Sequence, residues 1–334
     1  MSNRAFAAGG KTLALPVFQP RFPWIGGDLQ TLRNVLRLRD SHAPLARSQR
    51  LHLATTDGSG DVLQAALDTP DAPGDKPTVL LIHGLTGCET SHNICVSARF
   101  HLDRGHPVIR LNLRGAGPSL GKTKHAYNAG RSADLRDALA ALPAAIKTRG
   151  LFLVGVSLGG NMLLKALAEG DGLDDVIGAA TVCAPIDLAA AQRRIMEPRN
   201  FLYHGHFLHS LNRDAQRASP HDPDLARTLK QIRTLYDFDD LITGPRAGFT
   251  GAQEYYRKSS AGPLLPAIRI PTLALASMSD PVVPVAMYLD RHWPKDGPLH
   301  LAIAPDGGHV GFHAMDSAIP WHDRVIGAFI DTLF

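Results

Sequence analysis

Cysteine is scarce in this 334-residue chain. Cys88, Cys95 and Cys183 cannot all pair with one another and are too few to frame a disulfide-built domain, so a reducing compartment is expected. Long apolar runs are missing too. The longest stretch free of charged residues and amides, Pro77 to Cys88, has twelve residues, against the roughly twenty that cross a bilayer. The opening MSNRAFAAGGKTLALP holds no continuous apolar signal core. These absences predict a cytoplasmic chain. A large charge of one sign is also lacking, since the formal net charge is +4. That charge is unevenly placed: residues 1–50 carry eight basic side chains (Arg4, Lys11, Arg21, Arg33, Arg37, Arg39, Arg47, Arg50) against Asp28 and Asp40. Such a leader suits peripheral contact with anionic lipid at the inner membrane, though a solvated basic face asks for less. No nucleic-acid-reading module accompanies the charge, so nucleic acid is not expected as a partner.

What is present is the composition of a folded chain, 44% hydrophobic and 20% charged. Two short, partly alternating runs, Leu51 to Ala54 and Val62 to Leu67, flank DGSG at 57–60 and read as a β-hairpin. From there, apolar strands at 78–82, 107–111, 151–156 and 176–183 alternate with helical patterns at 93–103, 132–147 and 158–168. This is the rhythm of an α/β fold whose mostly parallel central sheet is covered by helices on both faces. The rhythm breaks at Pro185 and resumes at 270–277, followed by a strand at 299–304 and a terminal helix from about Trp321. The expected division is a basic N-terminal extension (1–50) packed on the core, a core of 51–186 and 271–334, and a helical cap inserted at 187–270. That insert holds eight of the 21 aromatic residues, which either build its own small core or line an apolar substrate pocket.

The sharpest local signal is LFLVGVSLGGN at 151–161. A strand runs into Gly155, Val156, Ser157, Leu158, Gly159 and then a helix, the G-x-S-x-G strand-to-helix turn that exposes a nucleophilic serine. Gly155 and Gly159 relieve crowding at the turn, and the Leu158 N–H faces a developing oxyanion. A serine needs a base, and the base an orienting acid. Asp280 follows the strand at 271–277, and His309 lies in the glycine-rich loop after 299–304, giving the chain order Ser, Asp, His. Sixteen histidines leave rivals, His313 nearest among them; Asp306, Asp239 and Asp240 are the weaker candidates for the acid. The loop after the third strand, His83-Gly84-Leu85, offers the Leu85 N–H as the second oxyanion donor. Gly84 permits close backbone approach there, and His83 holds the loop by a side-chain hydrogen bond.

HGLTG (83–87), NLRGAG (112–117), GVSLGGN, SDPVVP (279–284) and GGHVGF (307–312) together resemble the α/β-hydrolase superfamily and, more narrowly, its YheT-like branch of esterases and lipases. The likeness runs from about Pro20 to the C-terminus. It implies a Ser157–Asp280–His309 triad, carboxylic ester hydrolysis of a small-molecule or lipid ester through an acyl-enzyme, and no metal or organic cofactor. Acyl transfer to an alcohol uses the same intermediate, and a catalytically idle binding protein is the other alternative. The branch's early H-L-Q-T stands here as Asp28-Leu29-Gln30-Thr31, a departure that weakens any role for that corner. GAGPSLGKT (115–123) fails the phosphate-loop pattern because Ala116 stands where glycine is required. His204, His206 and His209 lack the partners of a metal set. Nothing in the sequence specifies an oligomeric state.

Overall fold

A computed structural model gives the structure of the chain and describes residues 6–8, 11–13, 15–36, 48–72, 74–294 and 296–334. A short antiparallel pair, β1 (Phe6–Ala8) and β2 (Lys11–Leu13), precedes helix α1 (Gly27–Leu36). The body then runs β3 (Gln49–Ala54), β4 (Val62–Asp68), β5 (Thr78–Ile82), α2 (His92–Asp103), β6 (Val108–Leu111), α3 (Ser132–Ala141), α4 (Ala144–Lys147), β7 (Leu151–Val156), α5 (Leu158–Glu169) and β8 (Val176–Val182). The stretch between β8 and the next strand is helical: α6 (Leu188–Ile195), α7 (Phe201–Ala218), α8 (Pro223–Leu229), α9 (Leu235–Phe238), α10 (Gly244–Arg246) and α11 (Ala252–Ser259). β9 (Thr272–Ser277), α12 (Ala286–Leu289), β10 (Leu299–Ala304) and α13 (Trp321–Thr332) complete the chain.

The eight strands of the main sheet lie in the order β10-β9-β8-β7-β5-β6-β4-β3. Only the β3–β4 and β4–β6 pairings are antiparallel. The parallel strands are mostly apolar because crossover helices cover both faces, and the buried Arg110 of β6 is paired with Asp68 of β4 at 2.7 Å. Leu80, Ile82 and Leu153 face one side, packing with Met162 and Leu164 of α5. Val79, Leu81 and Phe152 face the other, against Ile94 of α2 and Phe329 of α13. With β5, β7, β8, β9 and β10 mutually parallel, their carboxyl ends share one sheet edge, and the loops at that edge carry Leu85, Ser157, Asp280 and His309.

Of the basic leader, Arg4, Arg37, Arg39 and Arg47 lie outside the described residues. Three of the others are tied into the fold: Arg50 makes a two-pronged pair with Glu89 at 2.5 and 2.6 Å, Arg21 donates to Ala314 O at 3.1 Å, and Arg33 meets His313. Less of the leader's charge is therefore free for a surface than the sequence count suggests. No helix among the described residues is long and apolar enough to cross a membrane.

Candidate active site

Ser157 sits between β7 and α5 at φ 51° and ψ −123°, a backbone conformation that costs free energy for a residue with a side chain. The glycines around it are required by close approach. A Cβ on Gly155 would lie 2.7 Å from Gly159 O, and one on Gly159 would collide with His83 O and lie 2.9 Å from Ile82 O. A Cβ on Gly84 would stand 3.0 Å from the Ser157 Cβ. The Ser157 N–H donates to Val182 O at 2.8 Å, which pins the turn to β8.

His309 joins the other two candidate residues. Its Nε2 lies 2.9 Å from Ser157 Oγ and its Nδ1 lies 3.0 Å from Asp280 Oδ2. Because the carboxylate only accepts, Nδ1 carries the proton and Nε2 is left to accept from the serine hydroxyl. The second carboxylate oxygen of Asp280 accepts the N–H groups of Val282 and Val283 at 2.8 and 2.9 Å. The Asp280 side chain is 2% exposed and that of His309 10%, so the pair is shielded while the ring edge reaches the cavity.

The neighbouring loop is fixed by His83. Its Nδ1 donates to Gly84 O at 2.8 Å and its Nε2 accepts the Leu113 N–H at 3.0 Å. Burial pushes this imidazole down to about 4, so the ring is neutral, as an accepting Nε2 requires. The Thr86 N–H donates to the Tyr127 hydroxyl at 2.7 Å. Leu85 and Leu158 both line the cavity beside Ser157.

That cavity, about 770 Å³, opens in front of Ser157. Its walls are Ile195 of α6, Phe207 and Leu211 of α7, Phe238 and Tyr256 from farther along the insert, and the body loop 115–128. Arg114, in NLRGAG, secures this loop from beneath. Its buried guanidinium bonds Asp61 at 2.9 Å and Asp134 at 2.6 and 2.9 Å, while Asp61 also accepts the Lys124 and His125 N–H groups at 2.7 and 3.2 Å. Asp239, on a π-helical turn at Asp239–Thr243, lines the cavity and accepts the Tyr256 hydroxyl at 2.7 Å. Burial pushes its carboxyl up to about 6 despite the Tyr256 and Thr243 hydroxyls.

Of the rivals considered from sequence, Asp239 lines the cavity and Asp240 accepts the Ala252 N–H at 2.8 Å, while the others point elsewhere. His313 is buried against Arg33, and Asp306 accepts from Gly26 and Gly307. His204 Nε2 accepts the Leu235 N–H at 3.1 Å. Phe201 faces solvent at 67% exposure, so the insert's aromatics do not all turn inward. Among the described residues, the grouping of potential metal ligands that converges within 4.8 Å is Cys183, Asp280 and His309. Two of these already share a hydrogen bond and Cys183 is fully buried behind them. The sequence reading gave no role to Thr31, Gln30 or Asn34, yet all three contact the loop bearing His309.

Residues 77–314, more than half of the chain, match the alpha/beta hydrolase fold family, and the chain belongs to that family. Within it the chain is similar to YheT of Escherichia coli, 32% identical over 279 residues that cover 79% of this chain and 78% of YheT. It is also 29% identical over 275 residues to a monoacylglycerol lipase of Saccharomyces cerevisiae, covering 79% of this chain. The chain spans only 60% of that yeast relative's length. Among solved structures, the Pyrococcus furiosus esterase Pf2001 matches with a TM-score of 0.58 at 15% identity, covering 85% of this chain and 92% of that one, a likeness of fold. The family and its lipase- and esterase-named sequence relatives support a hydrolase activity.

Proposed function

We propose that the chain is a serine carboxylic-ester hydrolase, on the strength of one observation above all: a single imidazole spans Ser157 at 2.9 Å and Asp280 at 3.0 Å. Ser157 Oγ attacks the ester carbonyl as His309 Nε2 takes its proton, and the Leu158 and Leu85 N–H groups hold the oxyanion. Asp280 fixes the imidazole tautomer and stabilises its positive form. Collapse of the tetrahedral adduct expels the alcohol, which takes the proton from His309 and leaves an acyl-serine. Water, deprotonated by the same nitrogen, then attacks that acyl group, and the acid departs as Ser157 regains its proton.

Residues 187–270 act as a cap over a body of 51–186 and 271–334, and the described residues of the 1–50 extension, helix α1 among them, pack on the body. The cap's apolar wall accommodates the acyl portion of a small-molecule or lipid ester. The expected setting is the cytoplasm, with peripheral membrane contact through the basic N-terminal region. Exposed Ile25 and Leu29 of the N-terminal region support that contact, at 53% and 44% exposure, as do Phe201 and Leu202 of the cap.

The test is hydrolysis of p-nitrophenyl esters from acetate to palmitate by the wild type and Ser157→Ala. A chain-length optimum with a loss of roughly 10⁴-fold or more in kcat for the variant is expected. Full activity in the variant would sink the mechanism. Ester formation that outruns hydrolysis when alcohol is added would reassign the acceptor from water to alcohol.

A further inference from the structure

Helix α1 approaches the reacting groups from behind. Thr31 Oγ1 accepts the backbone N–H of His309 at 2.7 Å and donates its own proton to Gly27 O at 2.7 Å. One turn of the same helix carries Gln30, whose side chain accepts the His313 N–H at 2.7 Å and donates to His313 O at 3.1 Å. Asn34 Nδ2 donates to Val310 O at 3.1 Å. The loop so gripped contains two unusual backbone conformations, Gly307 at φ 120° and Val310 at φ 58°. Contact is close enough that a Cβ on Gly308 would collide with Thr31 Oγ1. The amino end of α1 meets the loop of the acid as well, since a Cβ on Gly27 would collide with Ser279 O.

We propose that Thr31 is a positioning residue for His309: its hydroxyl fixes the backbone from which the imidazole projects, and so the aim of Nε2 at Ser157. This rests on the serine-hydrolase reading above. The physical reason is geometric. The ring is already held at its far side by Asp280, so a shift of its backbone turns the imidazole about that contact and spoils the Nε2–Oγ bond, which weakens steeply with angle. Without the Thr31 hydroxyl the His309 N–H loses its acceptor, and the loop gains a reason to turn away.

Thr31→Val keeps the shape and removes the hydroxyl; Thr31→Ala removes both; Thr31→Ser keeps the hydroxyl and drops the methyl. All three are compared with the wild type and Ser157→Ala for p-nitrophenyl butyrate hydrolysis, for the rate at which a fluorophosphonate labels Ser157, and for melting temperature. The expectation is a fall in kcat of roughly tenfold or more for Val and Ala with KM within about twofold. The labelling rate should fall by a similar factor, and Ser should recover to within about threefold of wild type. Wild-type kcat and labelling in folded Thr31→Val or Thr31→Ala overturn the proposal. So does a Ser variant as slow as Val and Ala, because the hydroxyl is then not what matters. Full activity and labelling in Ser157→Ala would overturn the serine reading itself, an outcome separable from any result at position 31.

Discussion

The body and the cap surround the same cavity but are built to different tolerances. Around Ser157 the body leaves no room: one added methyl at Gly155 would stand 2.7 Å from backbone oxygen, and β5 and β7 are buried along their whole lengths. The cap's longest helix, α7, has 18 residues of which only Ser210 is fully buried. Farther along, the cap has a small core of its own, Leu225, Leu229, Ile232, Phe238 and Ile242. Its ties to the rest include an exposed link from Asp28 to Arg199 at 2.9 Å and to the Tyr203 hydroxyl at 3.0 Å. On the proposed mechanism, backbone sterics fix the reacting groups, while replaceable side chains shape the wall offered to the acyl group. Specificity in such a molecule can change by substitution in the cap without disturbing the chemistry.

The sharpest break of this contrast is Gly155→Ala. It should destabilise the protein by roughly 3 kcal/mol and cut kcat by about a hundredfold or more, since the nucleophile turn cannot yield without moving Ser157. Urea unfolding and ester turnover together check it, and a fully active, stable Gly155→Ala enzyme would show the body to be as forgiving as the cap. A middle-sized effect belongs to Asp239. Its carboxyl titrates at about 6 in the folded chain against 3.8 ordinarily, because burial disfavours the charged form. The stability held by the protonated group is complete below pH 3.8 and is lost as pH rises through about 6. Relative to Asp239→Asn, the wild type should therefore lose on the order of 2 kcal/mol between pH 4 and pH 7. A stability difference between the two proteins that is flat across that range would contradict this. The smallest effect is expected for Asp28→Asn. The pair with Arg199 is about half exposed on both sides, and such pairs contribute roughly 0.2–1 kcal/mol. KM should move by about twofold or less; a tenfold rise would mean that the cap hangs on this contact far more than its exposure implies.

What could be read from sequence follows the same division. The tight turn at Ser157 was legible because local backbone crowding leaves few residues able to fill it, and the placement of Asp280 and His309 beside it because each follows an apolar strand. The cap was legible as helical, but which of its aromatics faces the cavity was not. Phe201 and Phe207 lie six positions apart on α7, yet only Phe207 lines the cavity, a difference set by what α7 packs against. Arg114 stands in a recognisable motif, but its acids come from the hairpin turn and from α3, so the buried network appears only on folding. The corner at 28–31 was undervalued for the same reason. With Asp28 in place of the branch's histidine the corner looked weakened, whereas Gln30 and Thr31 hold the loop of His309 and Asp28 reaches the cap.

The bond from Thr31 to His309 joins residues 278 positions apart. At a synthesis rate of roughly 5–20 residues per second, tens of seconds separate the helix from the loop it must grip. For the later part of that interval a nascent chain can complete its β7–α5 turn and present Ser157, yet it has no base until His309 is made. On the mechanism proposed here the growing polypeptide is chemically inert towards esters until β10 and the loop beyond it have left the ribosome. The distribution of the reacting residues along the chain thereby schedules the onset of hydrolysis, with the earliest helix waiting for the last loop.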